Sequence, residues 1–376
     1  MTSIQYVWQR TSWPQLTWNS ERLLSLLGEC RHAQGALFSA IAALGFDLEN
    51  QAQAEFFTDE ILNTSAIEGE RLNVRSVRSS VARKLGLPSA GLPVERRIDN
   101  LMVVLLDATR NHAEPLTPER LCGWHAALFP TGYSGLHKIR VGTWRKGPDA
   151  MQIVSGPVGK EQIHYEAPPA DRLEAEMRHF FHWWHESQGT TEGIIRAATA
   201  HFRFVVIHPF DDGNGRIARA LTDIALAQND RQPIRYYSLS AQIMAEREDY
   251  YKILADVSRG NGDITDWLLW FLGCFRRAVA HSEMMLAGVF TKAKFWQRHT
   301  HSPMTERQRK VLNRVLDEPA GFEGKLTTRK YASMAKVSTA TAYRELDQLH
   351  AMGVLRRTGK GRTVGYDIIL PDGVIP

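Results

Sequence analysis

The stretch HPFDDGNGRIAR, residues 208–219, combines residue types that suit phosphate chemistry. If a helix begins within it, the first backbone N–H groups of that helix lack partners and can bind an anion at the positive end of the helix dipole. The glycines on both sides of Asn214 let an anion approach the backbone without obstruction by a Cβ atom. Arg216 and Arg219, three residues apart, share one helical face, and two guanidinium groups suit a polyphosphate.

The same stretch contains a candidate metal ligand and a candidate base. A carboxylate at Asp212 would repel phosphate unless a cation lay between them, and Mg²⁺ is commonly held by one or two carboxylates plus phosphate oxygens. His208 can accept a proton near neutral pH, while Phe210 is expected to anchor the loop in the core. Together these groups indicate nucleotidyl or phosphoryl transfer onto a hydroxyl.

Each of these residues also has an ordinary structural explanation. A His-Pro pair commonly ends a helix, because the residue before proline avoids the α conformation. A Gly-Asn-Gly sequence is commonly a turn, and both arginines can simply be solvated. The combination of five complementary groups within twelve residues nevertheless favours the functional interpretation.

The elements that position this stretch are predicted to be mainly helical, with one hairpin. Apolar spacing and terminal residues predict helices over 20–45, 52–68, 96–112, 117–129, 171–187, 191–206, 215–228, 239–257 and 263–286. Thr117 is the expected N-cap of one of them. The β-prone runs 151–155 and 161–166 flank GPVGK, which predicts a β-hairpin with a flexible tip.

The stretch TSAIEG, residues 64–69, is the second informative segment. Ser65 and Glu68 have the spacing of a capping box that starts a helix. The helical pattern already runs through 52–63, however, and Gly69 is typical of a helix C-terminus. Glu68 is therefore expected at a helix end, with its carboxylate available to another part of the chain.

The segment from residue 303 to the C-terminus has a different character. Three short helical segments precede RRTGKGRTVGYDI, two expected strands around a basic turn, which is a winged helix-turn-helix layout. Residues 301–376 contain 13 Lys/Arg against 8 Asp/Glu and account for the whole net charge of +5. This asymmetry suggests that the segment binds nucleic acid. Ser338 is the expected N-cap of the recognition helix. The candidate DNA contacts are Arg344, Arg356, Arg357, Lys360 and Arg362. A solvated basic surface or a protein contact, including dimerisation, is the open alternative.

Length and composition indicate a soluble protein with two or three domains. The 376 residues are 43% hydrophobic and 23% charged. No apolar run approaches the roughly 20 residues that span a bilayer, and the N-terminus lacks a secretory pattern. Cys30, Cys122 and Cys274 are far apart, which disfavours a disulfide framework or zinc site. These features predict a cytoplasmic protein without membrane contact.

HPFDDGNGRIAR resembles the signature of the Fic family, HPFx(D/E)GNGRxxR, at every fixed position. The resemblance extends over roughly residues 110–285 and implies a mainly α fold, an all-helical Fic core with a β-hairpin flap. We expect an N-terminal helical region with the inhibitory helix (1–90), a Fic catalytic domain (91–290) and a small winged helix-turn-helix domain (300–376).

The resemblance implies a protein adenylyltransferase that transfers AMP from ATP to a Ser, Thr or Tyr hydroxyl of a target protein or of itself. His208 would be the general base, and Asp212 would bind Mg²⁺. The implied ATP-binding residues are Gly213, Asn214, Gly215, Arg216, Arg219, Tyr250 and Tyr251. Helix packing explains the two tyrosines equally well. The phosphate loop is complete, unlike that of the family's phosphotransferase branch, the Doc toxins, so adenylylation is preferred over phosphorylation.

Residues 64–69 resemble the family's inhibitory motif, [S/T]xxxE[G/N]. This similarity implies that Glu68 pairs with Arg219 and occupies the γ-phosphate position, which gives an autoinhibited enzyme. Some such enzymes also remove AMP, with the glutamate assisting hydrolysis.

The resemblance also bears on partners. The hairpin over 151–166 corresponds to the family's flap, which holds a target segment by strand pairing. DNA, through residues 303–367, and a homodimer are further possible partners. The alternative function is a DNA-binding regulator with a nucleotide-sensing Fic-like core.

Overall fold

A computed structural model describes residues 5–42, 46–88, 92–93, 95–147, 151–155, 162–232, 235–316, 325–359, 364–370 and 373–375. The chain divides into two compact units, one of residues 1–44 and 49–282 and the other of residues 45–48 and 283–376. Most of the predicted N-terminal region and most of the predicted catalytic domain fall in the larger unit. The three-part division itself stays a prediction.

The larger unit is built from helices, which confirms the mainly α fold class. The helices that lie wholly or mostly in it are α1 (Ser20–Ala42), α2 (Phe46–Ile67), α3 (Val74–Lys84), α4 (Arg96–Arg110), α5 (Pro118–Leu128), α6 (Leu173–Glu186), α7 (Gly193–Ile207), α8 (Asn214–Asp230), α9 (Leu239–Ala245), α10 (Arg247–Ser258) and α11 (Thr265–Arg298). Helices α7 and α8 form its centre, since nearly all of their side chains are buried.

Two small antiparallel hairpins accompany these helices. One pairs β1 (Tyr133–Ser134) with β2 (His137–Lys138), and the other pairs β3 (Gln152–Ser155) with β4 (Gln162–Glu166). The second is the hairpin that the sequence predicts over 151–166. Its predicted flexible tip, residues 156–160, lies outside the described residues.

Three helical predictions differ from the structure. The single helix expected over 239–257 is two helices, because Glu246 leaves the helical conformation between α9 and α10. Helix α3 was not predicted; Asn73 caps it by accepting hydrogen bonds from the N–H groups of Arg75 and Ser76. Helix α11 continues twelve residues beyond its expected end at residue 286.

The smaller unit contains a helical trio and a three-stranded antiparallel sheet. Its elements are α12 (Glu306–Leu316), α13 (Thr328–Ala335), α14 (Thr339–Ala351), β5 (Leu355–Thr358), β6 (Gly365–Leu370) and β7 (Gly373–Ile375). Ser338 caps α14 through the Thr341 N–H, as predicted. Strand β7 was not predicted, and the predicted wing residues Lys360 and Arg362 lie outside the described residues. Within the described ranges, no helix has the length and apolar character needed to span a bilayer.

Candidate active site

The end of α7 places His208 at the edge of a cavity. His208 takes a left-handed backbone conformation (φ 50°) before Pro209, and this terminates the helix. Arg145 holds the turn, because its backbone N–H donates to the Pro209 carbonyl (2.8 Å) and its Nε donates to the His208 carbonyl (2.8 Å). Sequence patterns do not indicate a role for Arg145, since its partners are backbone atoms 63 and 64 residues away.

The loop after His208 is fixed by an aromatic anchor and an amide clamp. Phe210 is fully buried, as predicted, and stacks on His125 with ring centroids 4.2 Å apart. The Asn214 side chain accepts from the Phe210 N–H (3.0 Å) and donates to the Phe210 carbonyl (2.8 Å). The Asn214 amide therefore organises the loop, and only its backbone is suited to the predicted phosphate contact.

Gly213 starts α8 at a point where no side chain fits. Its φ is +80°, and an added Cβ would lie 2.7 Å from Phe129 Cε2. Both features favour glycine, the first through backbone conformation and the second through packing.

We expect Gly213→Ala to destabilise the protein by about 1–4 kcal/mol, because strain in φ adds to overpacking against Phe129. Gly189→Ala is a matched control, since Gly189 also has a positive φ (+77°) but nothing within 4 Å of an added Cβ. Chemical denaturation measures both. Equal losses in the two variants would show that contact with Phe129 contributes nothing.

The His208 imidazole is arranged to accept a proton from the cavity. Its Nδ1 donates to the Val205 carbonyl (3.2 Å), which leaves Nε2 as the acceptor in the neutral ring. Burial lowers the pKa of His208 to about 4. The ring is therefore neutral at pH 7, as a general base must be before it reacts.

Asp212 lies beside the start of α8, where its carboxylate accepts from the Gly213 N–H (2.5 Å) and from the Ser134 hydroxyl. Among the described residues, no group of three His, Cys, Asp or Glu side chains could hold a metal on its own. A lone carboxylate at a helix N-terminus fits Mg²⁺ that takes its remaining ligands from phosphates and water. Asp212 is the residue that would hold it.

Glu68 contacts Arg219 across the start of α8. Helix α2 ends at Ile67, and Gly69 has φ +81°, so the C-terminal interpretation of TSAIEG is correct. Arg219 Nη2 lies 2.6 Å from Glu68 Oε1, and Arg219 Nε donates to the Thr64 hydroxyl (2.7 Å). An added Cβ on Gly215 would lie 2.5 Å from Glu68 Oε1, so the carboxylate covers the first turn of α8.

The Arg216 guanidinium lies in different surroundings from that of Arg219, although the two residues are three positions apart on one helix. Its guanidinium lies over the Phe129 ring (4.9 Å), and its Nη1 is 3.8 Å from Glu70 Oε1. Its Nε is buried and makes no hydrogen bond to any described residue. The two arginines therefore face two different carboxylates, Glu70 and Glu68.

A cavity of about 650 Å³ brings most of the predicted site together. The predicted residues that line it are Glu68, His208, Asp212, Asn214, Gly215, Arg219, Tyr250 and Tyr251. Gly213 and Arg216 are absent from its lining, which includes Tyr165, Arg247, Lys252 and Ser258 as polar residues that sequence reasoning missed.

The paired tyrosines differ in their surroundings. Tyr250 is buried, and its hydroxyl lies 2.9 Å from His201 Nε2. Tyr251 is 42% exposed, and the Arg247 guanidinium lies 5.1 Å from its ring centroid. Tyr250 thus packs between helices, as the structural alternative expects, while both rings also border the cavity.

Comparisons with known proteins identify two similar families and a set of relatives. A family model described as Fic/DOC family matches residues 115–226, and one described as a domain of unknown function (DUF4172) matches residues 6–87. A protein adenylyltransferase Fic from Nematostella vectensis is 26% identical over 236 residues, 61% of this chain and 49% of that protein. A protein adenylyltransferase Fic from Drosophila grimshawi is 26% identical over 274 residues, which are 72% of this chain and 51% of that protein. The chain thus spans about half the length of these curated relatives.

Solved structures share the fold. The crystal structure of a Fic family protein from Desulfovibrio desulfuricans G20 aligns with a TM-score of 0.56 at 20% identity. The alignment covers 95% of this chain and 98% of that one. Residues 134–508 of Fic-1 from C. elegans have a TM-score of 0.52 at 18% identity, over 71% of this chain and 75% of that one.

Proposed function

Because this chain is a Fic family protein, we propose that it transfers AMP from ATP to a hydroxyl group of a target protein or of itself. The observation that carries the proposal is the neutral His208 imidazole, which faces the same cavity as Asp212, Arg219 and the start of α8. A base, a metal carboxylate and an anion site within one cavity are what attack on a phosphate requires.

In the proposed reaction, His208 Nε2 takes the proton of a Ser, Thr or Tyr hydroxyl. The hydroxyl oxygen forms a bond to the α-phosphorus of ATP, and the bond between that phosphorus and the α–β bridging oxygen breaks. Diphosphate leaves, and AMP remains on the protein. Asp212 would hold Mg²⁺, which supplies charge neutralisation to the phosphates when bound. The N–H groups at the start of α8 and the Arg219 guanidinium orient the phosphates.

We further propose that Glu68 keeps this site inhibited. Its carboxylate lies over the first turn of α8 and 2.6 Å from Arg219 Nη2. A triphosphate bound there would meet a negative charge and would find its cation already paired. The inhibited state is thus expected to predominate in the wild-type chain.

The experiment that tests the reaction is intact-mass analysis of the Glu68→Gly variant after incubation with Mg²⁺ and one nucleotide. We expect ATP to add the mass of one AMP to the protein. Parallel samples with CTP, GTP or UTP measure donor preference. A gain of a single phosphate would contradict adenylylation, and no gain with any nucleotide would support a nucleotide-sensing role without turnover.

We propose that a target segment binds along the hairpin of β3 and β4. A two-stranded hairpin leaves unpaired backbone groups along its edges, and an extended peptide can pair with them. The cavity residue Tyr165 lies in β4, so such a segment would lie next to His208.

A second candidate function, DNA binding by the smaller unit, is supported by its basic surface. Arg344 on α14 is exposed, as are Arg356 and Arg357 on β5. Arg356 is partly neutralised, since its Nη2 lies 3.5 Å from Asp367 Oδ2. Selection from randomised DNA duplexes tests this, because salt-sensitive binding alone would not show specificity. An enriched sequence that is lost in Arg344→Ala supports a DNA-binding regulator, and no enrichment counts against it.

A further inference from the structure

The segment before α1 contacts the hairpin of β3 and β4 at its second strand. Trp8 Nε1 donates to the Glu166 carbonyl at the end of β4 (2.7 Å). The Tyr6 ring packs edge-on against Tyr165 with centroids 5.1 Å apart. Tyr6, Trp8 and Tyr165 are each less than 10% exposed, so these contacts are shielded from solvent.

Tyr165 connects the same contacts to the catalytic helix. Its hydroxyl donates to the Val206 carbonyl (2.7 Å), in the last turn of α7. The neighbouring carbonyl, that of Val205, accepts from His208 Nδ1 (3.2 Å). One tyrosine therefore touches the N-terminal segment through its ring and the turn that orients His208 through its hydroxyl.

The N-terminal segment is also fixed to the far wall of the cavity. The turn Val7–Gln9 packs against α10, and Arg10 Nε donates to the Gly260 carbonyl (3.2 Å) just beyond that helix. Isolated two-stranded hairpins are marginally stable in water and need packing against another element. Here β4 contacts α10 directly, and the segment contacts both of them, so it adds packing at the end of β4.

We propose that Tyr6–Gln9 is a positioning element that fixes β4, and with it the edge available to an acceptor segment, relative to His208. Trp8 and Tyr6 are positioning residues in this proposal, since they act through Glu166 and Tyr165. The acceptor role rests on the proposed adenylyl transfer. In this role, part of the region that matches DUF4172, residues 6–87, would help to shape the active site.

The test replaces Trp8 with Phe and measures amide hydrogen exchange in the peptide that covers residues 162–167. We expect exchange there to become up to about tenfold faster, because one buried hydrogen bond to β4 is lost. Trp13→Phe is the matched control. Trp13 belongs to the same segment and also donates one indole bond, but to Glu176 Oε2 on α6 (2.6 Å).

The activity arm uses the same two substitutions in the Glu68→Gly background. Trp8→Phe should slow self-labelling by a similar factor and leave the Kd of a non-hydrolysable ATP analogue unchanged, whereas Trp13→Phe should alter neither. Equal exchange at 162–167 in the two variants would overturn the proposal.

Misfolding of the test variant and failure of the proposed reaction can each be distinguished from failure of the positioning role. If Trp8→Phe does not fold, Tyr6→Leu replaces it; this variant keeps the Trp8 bond and removes the ring contact with Tyr165, and it should show the same exchange and labelling changes. If Glu68→Gly itself gains no AMP, the proposed reaction fails, and the exchange comparison still decides whether the segment positions β4.

Discussion

The Glu68→Gly variant is expected to incorporate AMP about ten- to a hundredfold faster than the wild-type chain. The substitution removes a charge-assisted contact with Arg219, and such contacts contribute about 1.5–3 kcal/mol, which corresponds to that range of equilibrium constants. Arg219 itself should stay oriented, because Thr64 holds it through its hydroxyl (2.7 Å) and its carbonyl (3.1 Å). Labelling with ATP and Mg²⁺, followed by intact-mass analysis over time, gives both rates.

Glu70→Gly is the matched control for Glu68→Gly. The two carboxylates are two residues apart and equally exposed (27%), but Glu70 lies 3.8 Å from Arg216, which does not line the cavity. Glu70→Gly should change the labelling rate much less than Glu68→Gly does. Equal rates for wild type and Glu68→Gly would mean that the contact with Arg219 does not restrain the enzyme.

The pairing of Glu68 with Arg219 shows what a sequence pattern can predict about a distant contact. The helical pattern before Gly69 indicated a helix end, and the resemblance of TSAIEG to an inhibitory motif indicated the partner. Spacing alone would not have identified that partner, because the two residues are 151 positions apart. The local motif 208–219 was simpler, since its helix start and its loop are determined by glycine, proline and asparagine within the stretch itself.

The two arginines of that motif mark a limit of such reasoning. Spacing of three residues puts Arg216 and Arg219 on neighbouring positions of one helix face. Which of the two guanidinium groups lines the cavity depends instead on contacts with other parts of the chain. Arg216 packs on Phe129, and Arg219 donates to Thr64. Periodicity describes the helix and carries no information about these partners.

The contacts of Arg145, Tyr6 and Trp8 could not be predicted for a related reason. Arg145 and Trp8 donate to backbone carbonyls, which every residue has, so their partners leave no signature in the sequence. Tyr6 packs on a ring 159 positions away, and apolar contacts of that kind have no fixed spacing. Such supporting contacts become visible only when the fold is known.

The second large effect is expected for His208→Ala in the Glu68→Gly background, where labelling should fall by about a hundred- to ten-thousandfold. A positioned general base contributes rate factors of that size. His208 suits the role because burial lowers its pKa to about 4, while its bond to the Val205 carbonyl presents Nε2. Removal of Glu68 also removes a negative charge that raises this pKa, so the imidazole stays neutral at pH 7 in the activated variant.

Three measurements separate loss of the base from loss of the site. The Kd of a non-hydrolysable ATP analogue should change little in His208→Ala, because the phosphates meet Arg219 and the start of α8 rather than the imidazole. The thermal midpoint should stay close to that of Glu68→Gly, since the substitution removes one long hydrogen bond, that from Nδ1 to the Val205 carbonyl (3.2 Å). His137→Ala, at an exposed position in β2, should retain full activity. Labelling by the His208→Ala variant at an undiminished rate would assign proton removal to another group and would leave His208 a purely structural helix stop.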